Sequence, residues 1–141
     1  METSQRDVDE FLASLPDEFR DDMTEADAVI AAEMDGLPRQ LYEGKFWGGT
    51  DQQIIGYGTM VTTRSDKSEV EWFVVGLAAQ KRHLSVYINA VEDRQYLSEK
   101  YGDTLGKVKV GKASIGFTSA ADIDLAALGR LVAKARQITE A

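Results

Sequence analysis

The sequence predicts an α+β domain: an antiparallel sheet of about five or six strands, with N- and C-terminal helices packed on one face. Three observations lead there. Apolar residues recur at helical spacing in residues 8–34 and again in 122–138. Between Leu41 and Ala90 the period drops to two, and β-branched and aromatic residues dominate. The strand-like runs are joined by short connections rich in Gly, Ser and Asp, which favour antiparallel neighbours.

The elements follow in order. VDEFLASL places Val8, Phe11, Leu12 and Leu15 on one helical stripe, and Ser14 and Pro16 offer a break and a restart. A second helix is expected from Asp17 to Met34, with Phe19, Met23, Ala26, Ile30 and Met34 turned inward, and Gly36 and Pro38 ending it. QLYEGKFW, QIIGYGTMVT, EVEWFVVGL and HLSVYINA read as strands, with turns at Gly48-Gly49-Thr50-Asp51 and Arg64-Ser65-Asp66-Lys67. In HLSVYINA, Leu84, Val86, Ile88 and Ala90 share a core face. His83, Ser85, Tyr87 and Asn89 share an open polar face. EDRQYLSEKYGDTLG predicts a helix and KVKVGKASIGFT a return to strand. DIDLAALGRLVAKARQI closes the chain as a helix capped by Asp124, with Leu125, Leu128, Leu131, Val132 and Ala135 buried.

At 141 residues the chain fits one domain spanning 1–141. It has no cysteine, which removes thiolate metal sites, cysteine nucleophiles and disulfides from consideration. The polar start METSQRDVDE is no secretory signal and no apolar run reaches the length of a membrane span, so a cytoplasmic protein without membrane contact is expected. Net charge is −8, unevenly placed. Residues 1–35 hold twelve acidic side chains against Arg6 and Arg20, a net −10, leaving +2 for the rest. Such an N-terminal quarter repels phosphate backbones, so no nucleic-acid partner is expected through it.

Within that quarter Asp17, Asp21 and Glu25 repeat at i, i+4, i+8, and Glu18 and Asp22 form an adjacent i, i+4 pair. Clustered carboxylates can collect a hard cation or dock a basic protein; a solvated helix face that keeps the chain soluble is the plainer alternative. Asp17, Asp21, Asp22 and Glu25 are the candidate metal-binding residues. His83, the one histidine, lacks a second imidazole or thiolate, and Ser85 two positions away has no visible third partner for catalysis. GKFWGG and IIGYGT match no phosphate loop; Gly56 and Gly58 are expected to admit a bulge or a close helix. Trp47 and Tyr57, with His83 and Tyr87, are the candidate lining of a small-molecule pocket beside the sheet. Lys107, Lys109 and Lys112, with Lys81, Arg82, Arg94 and Lys100, make the later chain locally basic; edge-strand lysines explain this, and an anion or RNA site is the functional alternative.

VDEFLASLP, IIGYG, VEWFVVGLAAQKRHLSVYI and LGKVKVGKASIGFTSAADIDLAALGRLVAKA together resemble the YdhG-like domain family of small bacterial proteins. The resemblance spans most of residues 8–136 and is closest from Ile54 onward. Many relatives carry Tyr-Gly-Met-Pro where this chain has Tyr57-Gly58-Thr59-Met60, and DGLPRQLYEGKFWGG is longer here. The resemblance implies a frataxin-like, YdhG-like α+β fold. Some members are described as frataxin-like iron chaperones, so it also implies weakly bound iron and an iron–sulfur or haem assembly protein as partner. It carries over no catalytic residue. The expectation is a non-enzymatic binding protein that works through its acidic N-terminal helix, as an iron chaperone or a protein-interaction module. The alternative is a small-molecule-binding module; an enzyme using His83 and Tyr87 is the third option.

Overall fold

The computed structural model describes residues 2–4, 6–46, 50–63 and 66–140, so the two expected hairpin turns lie partly outside the described residues. A two-residue strand, β1 (Glu2–Thr3), precedes helix α1 (Val8–Ala13). Asp7 caps α1 by accepting from the Glu10 N–H at 3.0 Å. Pro16 then starts helix α2 (Asp17–Glu33), and Arg20 reaches back to the Leu15 carbonyl through Nε and Nη2. Its Met23, Ala26 and Ile30 are buried as the spacing predicts.

The sheet begins with β2 (Arg39–Phe46) and β3 (Thr50–Tyr57). The two long runs QIIGYGTMVT and EVEWFVVGL each split in two, contrary to expectation. After β3, Gly58 adopts φ +71, open to glycine without a Cβ clash, and its N–H donates to the Pro38 carbonyl at 2.7 Å. The chain leaves the main sheet as the separate pair β4 (Met60–Thr63) and β5 (Glu69–Trp72). It rejoins the sheet after Phe73 and Val74 as β6 (Val75–Ala79), followed by β7 (Leu84–Ile88).

The helix expected over EDRQYLSEKYGDTLG is a correction. Asp93 and Arg94 take φ +53 and +68, the successive left-handed pair of a tight hairpin turn. They join β8 (Val91–Glu92) to β9 (Gln95–Tyr96), so helix α3 starts only at Leu97 and ends at Tyr101 in a 3-10 turn, Gly102–Leu105. Then come β10 (Lys109–Val110), β11 (Ser114–Phe117) and helix α4 (Leu125–Glu140). Asp124 caps α4, its Oδ1 accepting from the Ala127 N–H at 3.0 Å.

The main sheet is antiparallel throughout, in the order β1-β2-β3-β6-β7-β11-β10. The fold is therefore α+β, with the long helices on one face. Leu41, Ile55, Leu77, Leu84, Val86, Ile88 and Ile115 meet Met23, Ile30, Leu128 and Val132 in the main core. Arg136 of α4 donates to the Glu33 and Asp35 carbonyls at 3.0 and 2.8 Å, closing the C-terminal end of α2.

The opposite face carries its own smaller cluster of Tyr42, Ile54, Phe73, Ala78 and Tyr87, flanked by Trp72. Gly56 and Gly76 are register partners across β3 and β6. A Cβ on Gly56 would collide with the Tyr42 ring and stand 2.9 Å from Phe73 Cβ; one on Gly76 would stand 2.6 Å from Phe73 Cε1. Paired glycines thus seat the Phe73 ring flat on the sheet. Gly56 admits an aromatic side chain from β2 and one from the strand return, not the bulge or close helix expected there, while Gly58 admits Met34 from the end of α2.

Candidate functional site

Antiparallel register sets the floor of the site. Ser85 pairs with Gly116 and Tyr87 with Ser114 across β7 and β11, so these residues share the face away from the helices. Gln80, in the turn before β7, folds over that floor. Its Nε2 donates to Tyr87 Oη at 2.8 Å, and its Oε1 accepts from Ser85 Oγ at 2.8 Å. Ser85 and Tyr87 are consequently buried, where an open polar face was expected. Burial raises the Tyr87 phenol above its ordinary range, although its bonds to Ser85 and Gln80 act the other way. The phenol therefore stays neutral and adds no negative charge to the floor.

Residues 106–111 form the other bank. With Gln80, His83, Ser85, Tyr87, Ser114 and Gly116 they enclose a groove of about 790 Å³. His83 is exposed at the rim, its Cδ2 lying 3.5 Å from where a Gly116 Cβ would sit. Lys107 and Lys109 line the groove, and no aspartate or glutamate does. A second cavity of about 740 Å³ lies beyond Gln80, between the α1–α2 junction and the ends of β2, β3 and β6, with Phe11, Leu15 and Phe19 in its wall.

Two of the four expected ligand-binding residues, His83 and Tyr87, meet in the groove. Tyr57 does not, which corrects its expected place in a pocket. It is 1% exposed on the helix side, where its Oη donates to Asp27 Oδ1 at 2.7 Å. Arg39 holds the same carboxylate through Nε at 3.1 Å and Nη2 at 2.7 Å, and also reaches Asp9. Burial, then the Asp27 charge and hydrogen bond, hold the Tyr57 phenol well above its usual range. Burial alone would lower the Arg39 pKa; the bonds and charge of Asp27 outweigh it and hold it above the ordinary value. This cluster fastens α2 to β2 and β3. Trp47 lies outside the described residues.

The acidic ladder is divided among different tasks. Asp17 pairs with Arg20 at 2.9 Å, and Asp22 Oδ1 accepts from the Ala120 N–H at 3.1 Å. Asp21 and Glu25 are exposed. Among the described residues, no group of three or more acidic or histidine side chains is placed to hold a metal ion, so Asp17, Asp21, Asp22 and Glu25 are not gathered into the expected ligand set. The physical reason is axial spread and prior engagement: Asp17 and Glu25, eight residues apart, stand about 12 Å apart along the helix, too far to share one ion, and Asp17 and Asp22 already hold Arg20 and the Ala120 N–H.

Gln80, Ser114 and Gly116 were not anticipated. Their signal in the sequence is a lack: neither 80–89 nor 106–118 contains an acidic residue. Fold and groove together define an α+β domain with a ligand-sized recess on the helix-free face of its sheet. No protein-family model matches the chain, and comparisons with curated proteins and with solved structures return no match.

Proposed function

We propose that the protein is a non-catalytic binding module that holds a small molecule in the groove between β7, β11 and residues 106–111. The observation that supports this is the locked Gln80–Ser85–Tyr87 network. Its polar groups already satisfy one another in a recess of about 790 Å³, so the floor needs no ordering when a ligand arrives. The same network argues against a serine nucleophile, because Ser85 Oγ donates to Gln80 and not to His83. The test is amide chemical-shift mapping of labelled protein against a set of small metabolites. Shifts confined to residues 83–87 and 107–116 support the reading. Shifts confined to the Phe11–Phe19 cavity, or none with any compound, sink it.

A second reading, docking of a basic protein partner on α2, is favoured by Asp21 and Glu25. Both are exposed, and their side chains make no hydrogen bond within the described residues. Weak iron binding, for delivery to an iron–sulfur assembly partner, would draw on the same carboxylates. Anaerobic calorimetry with ferrous iron tests it; heats unchanged by Asp21→Asn with Glu25→Gln dismiss it.

A further inference from the structure

We propose that the ligand of this groove is a small, multiply charged anion, either a phosphorylated or a polycarboxylic metabolite, gripped by Lys107 and Lys109 with His83 at the rim. This rests on the groove being the binding site. The charge pattern carries it. The chain holds 24 acidic residues in 141, so the 23 residues of 80–89 and 106–118 would carry about four at random. They carry none, in a protein of net charge −8.

Among the described residues, cations elsewhere divide: Lys67, Arg94, Lys112 and Arg130 form no ion pair, and six others do. Arg6, Arg20, Arg39, Lys100, Lys134 and Arg136 all form ion pairs. Lys107 and Lys109, which line the groove, make none among the described residues. Neither do Lys81 and Arg82, which precede His83 in the chain, but Lys81 lines the neighbouring cavity. Asp122 stands at the groove's edge: its carboxylate accepts from the groove-lining Thr118 Oγ1 at 3.0 Å and its carbonyl from the Lys107 N–H at 2.8 Å, which leaves the lysine side chains unpaired. Ser114 Oγ, on the floor, has no hydrogen-bond partner among the described residues. The groove thus offers two ammonium groups, an imidazole and a hydroxyl, all able to donate to anionic oxygens. A cation would be repelled, and a neutral ligand would leave both ammonium groups unmatched. Protection of an edge strand explains Lys109 on β10, the outermost strand. It does not explain why the opposite bank also lacks acids.

The volume bounds the ligand's size. A recess of about 790 Å³ falls in the range that encloses metabolite-sized molecules. Both banks are exposed to water, so affinity should be moderate and should fall as salt rises.

Calorimetric titration with inorganic pyrophosphate, citrate and neutral trehalose tests the inference, with shift mapping of each. At least one anion should bind at the groove amides, and the tighter of the two names phosphate or carboxylate as the recognised group. Lys107→Ala with Lys109→Ala should weaken that binding about 25-fold, at about five-fold per lysine for unit charges about 4 Å apart in water. Lys67→Ala, at a lysine of the β4–β5 connection that forms no ion pair among the described residues, should leave it unchanged. Far-UV circular dichroism and the urea midpoint of the double variant show whether it remains folded. Should it unfold, screening of the wild-type shifts by salt takes its place. Equal anion affinity in wild type and folded double variant overturns the inference. Trehalose binding at the groove without either anion overturns it too, yet leaves the groove as a binding site. Silence of the groove amides toward all three overturns both.

Discussion

Gly76→Ala probes the packing that shapes the helix-free face. A Cβ there would stand 2.6 Å from Phe73 Cε1 and 2.9 Å from Ile54 Cγ2, well inside the ordinary carbon–carbon separation of about 3.5–4.0 Å. Phe73 has little room to retreat. It is fully buried, with the Trp72 ring 4.5 Å and the Tyr42 ring 5.3 Å away between centroids. Overpacking of this kind costs about 1–3 kcal/mol. Replacing glycine also restricts the unfolded chain, which offsets about 0.4–1 kcal/mol of that loss. The expected net destabilisation is about 0–2.6 kcal/mol. Urea denaturation followed by tryptophan fluorescence reads it, since Trp72 sits in the same cluster. Gly116→Ala is the matched control. Its Cβ would meet His83 Cδ2 at 3.5 Å, an ordinary contact, so it should be neutral or slightly stabilising. Adding Phe73→Leu to Gly76→Ala should cost less than Phe73→Leu alone, with a coupling of about 0.5 kcal/mol or more. Equal midpoints for the two alanine variants, or strict additivity in the double variant, would refute the reasoning.

Other outcomes follow from the same geometry. Asp124→Ala should lose about 1 kcal/mol, because the Ala127 amide loses its cap; an unchanged urea midpoint contradicts this. Asp27→Ala leaves the Arg39 guanidinium and the Tyr57 hydroxyl without their shared acceptor and should cost about 3–5 kcal/mol in the same assay; a loss below about 1 kcal/mol would show that the cluster is not fastening α2. Glu92 is held down to about 2 by Lys100 first, then by Tyr101 and Lys134. Its folded pKa is depressed, so its contribution is complete above the ordinary carboxylate range and is lost as pH falls through about 2. An NMR titration midpoint in the ordinary range would be the contrary result. On α2, Asp21→Asn should leave stability unchanged or slightly raised, whereas Asp22→Ala should lose about 0.5–2 kcal/mol with its bond to Ala120; identical behaviour would contradict the division of the ladder.

Periodicity was enough for α1, α2 and α4 and for the inward faces of the strands. Met23, Ile30, Leu84, Val86 and Leu128 are buried where their spacing puts them, and Asp124 caps as its position implies. Breaks inside apolar runs were not legible. Gly58 ends β3 through a backbone angle, and Phe73 leaves the sheet because two glycines distant in sequence meet across β3 and β6. The hairpin at Asp93-Arg94 was hidden for a related reason: EDRQYLSEK has strong helix formers, and the left-handed pair that overrides them carries no glycine. For the site, alternation assigned His83 and Tyr87 to the helix-free face, and the structure brings them together with residues 106–111. Aromatic character alone put Tyr57 in the pocket, whereas its parity along β3 turns it toward α2, and alternation had no means of seeing Gln80 fold back over Ser85.

The most direct test of the groove as the working site is a crystal structure of the protein grown with pyrophosphate or citrate at concentrations near the solution dissociation constant. The groove account predicts the anion between β7 and residues 106–111, with Lys107 Nζ or Lys109 Nζ within hydrogen-bond distance of its oxygens. An anion bound elsewhere, with the groove open and free of it, would contradict the account.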